Sequence, residues 1–439
     1  MIARVVARAL ALCAVLASIV IGGAIAKDQG STGDTSTSVT VTPARQDVAC
    51  PGPLVTPAGG TGTDPELGGA ATGVTRGSYL GGNMRDVGKG KASDALVGAQ
   101  VERVSGGDIS GLAALTCTAP RTDQWIVAGA STVGSSARLL LTNPSQSAVE
   151  ATVVAYGELG ELDSRTVAIG PDAQQEVLLE GVVVDVASLA VHVTATGTGV
   201  VAAMQDSRLN GFQPAGTDWG TASALASSLA IPGVGTGGSP NQSATVRVVA
   251  PEGATVRMSL STPDGDAVWE GVASLALDPG VVIELPVPAV DVGTVVINSD
   301  KPVVASALVT RTRAATAGVE GDTAQELRWI PAQATAGDEE RATVAVGYDE
   351  TAVVFAANAG TFTLKDADGA TVATATVPAG GTVTLPLSAT PGTTLTAAGA
   401  FAWTVLVSDG DYLATLSPTR TTIDDLDVEV RQVPYGPVP

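Results

Sequence analysis

Histidine is nearly missing from this sequence: His192 is the only one in 439 residues. A Ser-His-Asp or Cys-His device would have to be built on that single side chain. Aromatic residues make up only 3%, fewer than sugar-cleaving clefts usually carry. Cysteine is limited to Cys13, Cys50 and Cys117, with no C-x-x-C pair and no Cys/His metal spacing. Basic residues are outnumbered, 23 Lys and Arg against 44 Asp and Glu, which gives a net charge of −21 and a pI near 4.3. Such a surface repels phosphate backbones and anionic lipid headgroups, so a nucleic-acid partner is excluded, while an exported chain is kept soluble. G-x-S-x-G, S-x-x-K and H-E-x-x-H are all absent. No catalytic residue, cofactor or metal is expected, and the chain reads as non-enzymatic.

What is present is strand-forming. The sequence is 45% hydrophobic, with Ala and Val dominant, and is punctuated by 52 Gly and 25 Pro. Val and Thr suit pleated, half-buried surfaces, and Gly and Pro break helices, so the balance predicts many short strands joined by turns. The N-terminus is different. Arg4 and Arg8 precede an apolar run from Ala9 to Ala26, the pattern of an export segment. Ala24-Ile25-Ala26 suits signal peptidase, but the run is also long enough to span a bilayer at the short end of the range. The bulk of the chain is therefore extracytoplasmic, either held by this segment or secreted after cleavage near Ala26. Membrane contact is expected only through that segment. Cys13 lies inside it, which leaves Cys50 and Cys117 as an even pair in an exported chain, read as one disulfide.

Residues 27–42 are small and polar and read as a flexible tether. Beyond them an apolar strand with polar ends recurs, starting at Leu96, Val200, Val303 and Trp403. The spacings of 104, 103 and 100 residues are the size of a whole sandwich domain rather than of a solenoid repeat or propeller blade. Within the units Val256, Met258 and Leu260 alternate with Arg257 and Ser259, one face buried and one wet. Asp264-Gly265, Asp368-Gly369 and Asp409-Gly410 are hairpin-turn dipeptides. The fold class expected is all-β: tandem Ig-like β-sandwich repeats after a hydrophobic export segment. The organisation runs 1–26 export segment, 27–42 tether, 43–122 short disulfide-containing β unit, then sandwiches at 123–222, 223–335 and 336–430, and a C-terminal coil at 431–439.

Cys50-Pro-Gly-Pro53, Gly111-Leu-Ala-Ala114 with Cys117, Trp125-Ile-Val-Ala-Gly129 and Leu141-Thr-Asn-Pro144 together resemble the landmarks of an actinobacterial family of exported or membrane-anchored proteins. Asp206-Ser-Arg208 and Asp218-Trp219 fit the same pattern. That family is known only as a domain of unknown function. The resemblance covers most of residues 45–430 and implies export, a membrane-proximal start and a β fold. It implies no catalytic residue, ligand or partner.

The remaining candidates each have a plain structural reading. His192 sits on a strand whose Leu189, Val191 and Val193 face inward, so it reads as a surface histidine. Gly233-Val-Gly-Thr-Gly-Gly238 lacks the following helix that a nucleotide loop needs. Asp424, Asp425, Asp427 and Glu429 offer carboxylate pairs for glycoside hydrolysis, with nothing to mark any pair as poised. The acidic loops at Asp264, Asp366 and Asp409 lack full calcium-ligand spacing. Trp125, Trp219 and Trp329 follow echoed strands and read as plugs between sandwiches rather than glycan platforms. The expected role is a structural or protein-interaction protein of the cell envelope, its partner an unknown envelope protein or glycan. A glycan- or wall-binding module array is the alternative, and a carboxylate-based hydrolase comes third.

Overall fold

The computed structural model describes residues 36–41, 48–55, 75–78, 97–106, 109–211, 213–237, 241–314, 323–421 and 426–431. The export segment and the pair Asp424 and Asp425 lie outside them. The described residues form antiparallel strands, with one short 3-10 turn at Leu179–Gly181.

Three complete sandwiches follow one plan. In the first, a sheet ordered Ala222–Ser223, Asp123–Ile126, Ala190–Ala195, Val149–Gly157, Gly160–Ile169 faces a sheet ordered Gln213–Gly220, Val201–Asn210, Ser135–Asn143, Ala173–Leu178. The third repeats this order strand for strand, from Glu339–Val344 at the start to Tyr412–Leu416 and Thr419–Arg420 at the end. The middle one has the same plan with a fused element. Thr294–Ile297 and Val303–Val309, which read as two strands in the sequence, belong to one strand, Gly293–Ala314, whose first part lies in one sheet and second part in the other. The change of sheet falls around the exposed Asp300 and Lys301. Each sandwich closes on a core of Ala, Val and Leu with few large side chains.

Among the described residues, the N-terminal unit shows part of this plan. Its sheet is ordered Thr75–Ser78, Ala99–Gly106, Ile109–Thr116, and its last hairpin matches the last hairpin of each complete sandwich. Strand Ile109–Thr116 is buried along its whole length, and the two-residue alternation of a strand explains how. Ile109, Ala113 and Leu115 join Val48, Cys50, Leu54 and Trp219. Leu112 and Ala114 face the other way, into the core of the last sandwich. Its neighbours thus cover both faces of this strand. Cys50 and Cys117 are bonded, with Cα atoms 4.6 Å apart.

The sequence suggests sandwiches in a row; the body spanning Ala44–Thr422 is instead closed into a ring. The last strand of each repeat packs on the next: Ile109–Thr116 on Gln213–Gly220, that on Thr323–Pro331, that on Tyr412–Leu416, which returns to Ile109–Thr116. The echoed segments are the strands hydrogen-bonded to these four. Close approach fixes one glycine: a Cβ on Gly111 would lie 2.7 Å from the Thr217 carbonyl oxygen, so the first two ring strands meet nearly backbone to backbone.

Two boundary expectations change. Ser36–Val41, inside the expected tether, pairs antiparallel with Leu426–Arg431, setting Val39 opposite Val428. Both stretches alternate apolar or β-branched with polar residues, the pattern of a strand. Leu426–Val430 therefore belongs to this separate two-stranded sheet and not to the last sandwich, and Arg431 ends a strand where a coil was expected.

Candidate functional site: an axial pocket inside the ring of repeats

The four ring strands are all sheet edges, so burying them leaves N–H groups that need acceptors. Two carboxyls supply them. Asp218 Oδ2 accepts from the Trp329 N–H at 2.8 Å, and the Trp219 and Ala114 N–H groups also bear on this carboxyl. Glu326 Oε1 accepts from the Leu112 N–H at 2.8 Å while its Oε2 accepts from Arg313 Nε at 3.2 Å. Arg313 also donates to Ser110 Oγ at 2.6 Å. Asp218 thus staples its strand to a neighbouring edge, and Glu326 reaches the edge opposite, across the axis. Around them Asp206 accepts from Trp329 Nε1 at 3.0 Å and from Arg208 at 2.8 Å. Arg247 lies 4.9 Å from the centre of the Trp329 ring and donates to the Gly129 and Ala187 carbonyls of the preceding sandwich.

Burial pushes Asp218 well above the ordinary carboxyl range, against its backbone N–H partners, with the nearby Glu326 charge adding to the rise. Burial pushes Glu326 up to about 8, although the Leu112 N–H and Arg313 favour its ionised form. Glu350 is also raised, by burial and against the N–H groups of Val346 and Gly347. A raised carboxyl keeps a proton in the folded chain that the unfolded chain has released. Its contribution is complete below the unfolded value near 4.5 and is lost as pH climbs through about 8. The denaturant midpoint at constant ionic strength should fall from pH 5 to pH 8, and Glu326→Gln should flatten that fall. An unchanged slope in that variant would contradict the assignment.

At one end of the ring strands lies a cavity of about 110 Å³. It is lined where the four strands run out, by Ala114 to Thr116, Trp219, Trp329 and Thr415. Three arginines, Arg121, Arg341 and Arg420, complete it, and among the described residues no lining residue is acidic. Arg341 is fixed by Gln333 Oε1 at 2.7 Å and by the Ala334 carbonyl at 3.3 Å. Glu339, outside the lining, meets Arg420 at 2.7 Å and Arg341 at 3.3 Å. Three buried polar atoms of the lining, Trp219 Nε1, Thr415 Oγ1 and Ser417 Oγ, have no hydrogen-bond partner. A buried donor without an acceptor costs about 1–3 kcal/mol, so their gathering at one cavity favours an acceptor-rich guest there.

The sequence candidates fall elsewhere. His192 stacks on Trp125 with ring centres 4.4 Å apart and meets Asp123 at 3.0 Å, at the sheet surface. Trp125, Trp219 and Trp329 are buried to 4%, 2% and 2% exposure, so none offers a face to a sugar. Gly233 ends strand Ala226–Val234 and the next element is strand Gln242–Val249, which leaves no helix for a nucleotide. Asp366 Oδ1 accepts from the Asp368 and Ala370 N–H groups of its own loop. Among the described residues no His, Cys, Asp or Glu cluster is arranged to hold a metal ion. The pocket residues escape sequence reading because they come from segments up to 306 residues apart, with no local pattern. The family landmarks do mark the junction: Gly111–Ala114 and Asp218-Trp219 are ring strands, Asp206 and Arg208 flank them, and Gly129 receives Arg247.

A model of a family of unknown function, DUF5719, matches residues 72–390. No curated protein matches the sequence. Among solved structures, the chain is similar to a biofilm associated protein, BSP domain, at 10% identity and a TM-score of 0.15, over 74% of this chain and 63% of that one.

Proposed function

The chain belongs to the DUF5719 family, whose function is unknown, and from that premise we propose that it is a non-enzymatic, extracytoplasmic structural or protein-interaction protein of the cell envelope. One observation carries this reading: the repeats close on one another through buried edge strands and carboxyl staples, so the body from Ala44 to Thr422 is built as one stiff frame. A frame of this kind holds its surface loops at fixed separations, which suits recognition of a partner. The two carboxyls with the most shifted proton affinities, Asp218 and Glu326, are fully buried and are engaged by ring-strand N–H groups. They serve the fold, and a hydrolase reading finds no poised pair in the pocket lining. The Cys50–Cys117 bond supports an oxidising, exported setting.

The test is affinity capture from detergent-solubilised envelope with the full chain as bait, scored for protein and polysaccharide. A single envelope protein recovered in stoichiometric amount is the expected result. Enrichment of wall polysaccharide without a protein would replace this reading with that of a wall-binding module. New reducing ends released from envelope glycans, and lost in Glu326→Gln, would end the non-enzymatic reading.

A further inference from the structure

We propose that the axial pocket is a binding site for a phosphate group. The cavity reverses the charge of the protein around it. In a chain with almost two acids for every base, the described lining residues include three arginines and no carboxylate. Arg121 approaches from the start of one sandwich, and Arg341 and Arg420 from another. Burial lowers the proton affinity of Arg341 against the neighbouring Glu339 carboxylate, and Arg420 and Arg121 are close enough for their charges to add to the lowering. Glu339 offsets part of this charge from outside the lining, and the remaining excess of like charge favours a further anion at the site.

The unpartnered atoms specify what kind of anion. Trp219 Nε1 is a donor only, at a side chain 2% exposed, and Thr415 Oγ1 and Ser417 Oγ can both donate. With the guanidiniums they surround the cavity with donors from several directions. A planar carboxylate offers about four lone-pair positions, nearly in one plane. A phosphate group presents three terminal oxygens in a tetrahedral array and takes paired N–H donors from arginine. A volume of about 110 Å³ admits one such head group and leaves whatever bears it outside. The overall negative field would slow the approach of free anions, so selectivity rests on the donors and not on steering.

The same chemistry is presented by free phosphate and by a phosphate ester on a larger envelope molecule. Titration calorimetry of the full chain at pH 7 and constant ionic strength, with inorganic phosphate, glycerol 3-phosphate and acetate, separates them. Inorganic phosphate should bind at one site per chain, at least tenfold tighter than acetate. Glycerol 3-phosphate matching or exceeding it would identify an esterified head group as the natural guest, and its exclusion would identify the free ion. Arg121→Gln, at an exposed position, should weaken phosphate binding at least tenfold without moving the Tm. Arg420→Gln should do the same and serves as a second variant. Arg165→Gln, an exposed residue far from the lining, should leave binding unchanged. No saturable phosphate binding, equal binding of acetate, or wild-type binding by both pocket variants would each overturn the proposal.

Discussion

Removing the Cys50–Cys117 bond is expected to lower stability by about 4 kcal/mol, the chain-entropy value for a loop that closes over 67 residues of sequence separation. The value is large because the loop is long. The folded side of the balance also favours a visible effect. Both cysteines are 2% exposed, within the cluster that joins the first hairpin to Leu140, Ala203 and Trp219. The segment bearing Cys50 otherwise holds to the body through few polar contacts. Ala49 exchanges backbone hydrogen bonds with Thr118, Leu54 N–H donates to Glu102 at 3.1 Å, and Val55 is bonded to Gln205 in both directions. Without the covalent link these contacts must bear the whole ordering cost of the segment. The double variant Cys50→Ala with Cys117→Ala, compared with wild type in denaturant titrations with and without reductant, provides the measurement. Wild type under reductant should approach the variant. A loss under about 1 kcal/mol would mean that ring closure alone fixes the first unit.

Asp206→Ala should cost about 3–5 kcal/mol, the range for breaking a buried ion pair by removing one partner. Asp206 is fully buried and is shared between Arg208 and the indole N–H of Trp329. Truncation leaves a largely buried guanidinium and an indole donor unpaired at the junction of two sandwiches, together with a cavity. Trp329 reports the change directly, so its fluorescence should shift at denaturant concentrations where the wild type is still folded. Asp206→Asn keeps an acceptor for the indole but removes the charge facing Arg208, and should fall between the two. An alanine variant as stable as wild type would show that the ring is held by packing, with the polar joint contributing nothing net.

The site and the fold were legible to different degrees. The sandwich class could be read because strand alternation, Asp-Gly turns and a period near one hundred residues are local properties of the chain. Gly265, Gly369 and Gly410 all take positive φ, as their turn dipeptides require. Asp206 and Asp218 stand out in the sequence only as landmarks of the family resemblance, without a role, and Glu326 looks like any of 44 acids, since what distinguishes all three is burial against the edge of another repeat. The pocket arginines were still less visible, because nothing in the neighbourhood of Arg121 in the sequence points to Arg341 or Arg420.

By itself the sequence determined an all-β chain of Ig-like sandwich repeats, because hydrophobic period and turn chemistry act over a few residues. Only the tertiary structure decided that the last hairpin of the first unit is shared between two neighbouring cores, that the repeats close into a ring, and that three arginines line one cavity at its end. Those outcomes depend on which sheet edges find each other across one to three hundred residues. Edge strands carry unpaired backbone groups whatever their side chains, and the pairing is settled by the acceptors and close-packing glycines that happen to face them once the sandwiches have formed.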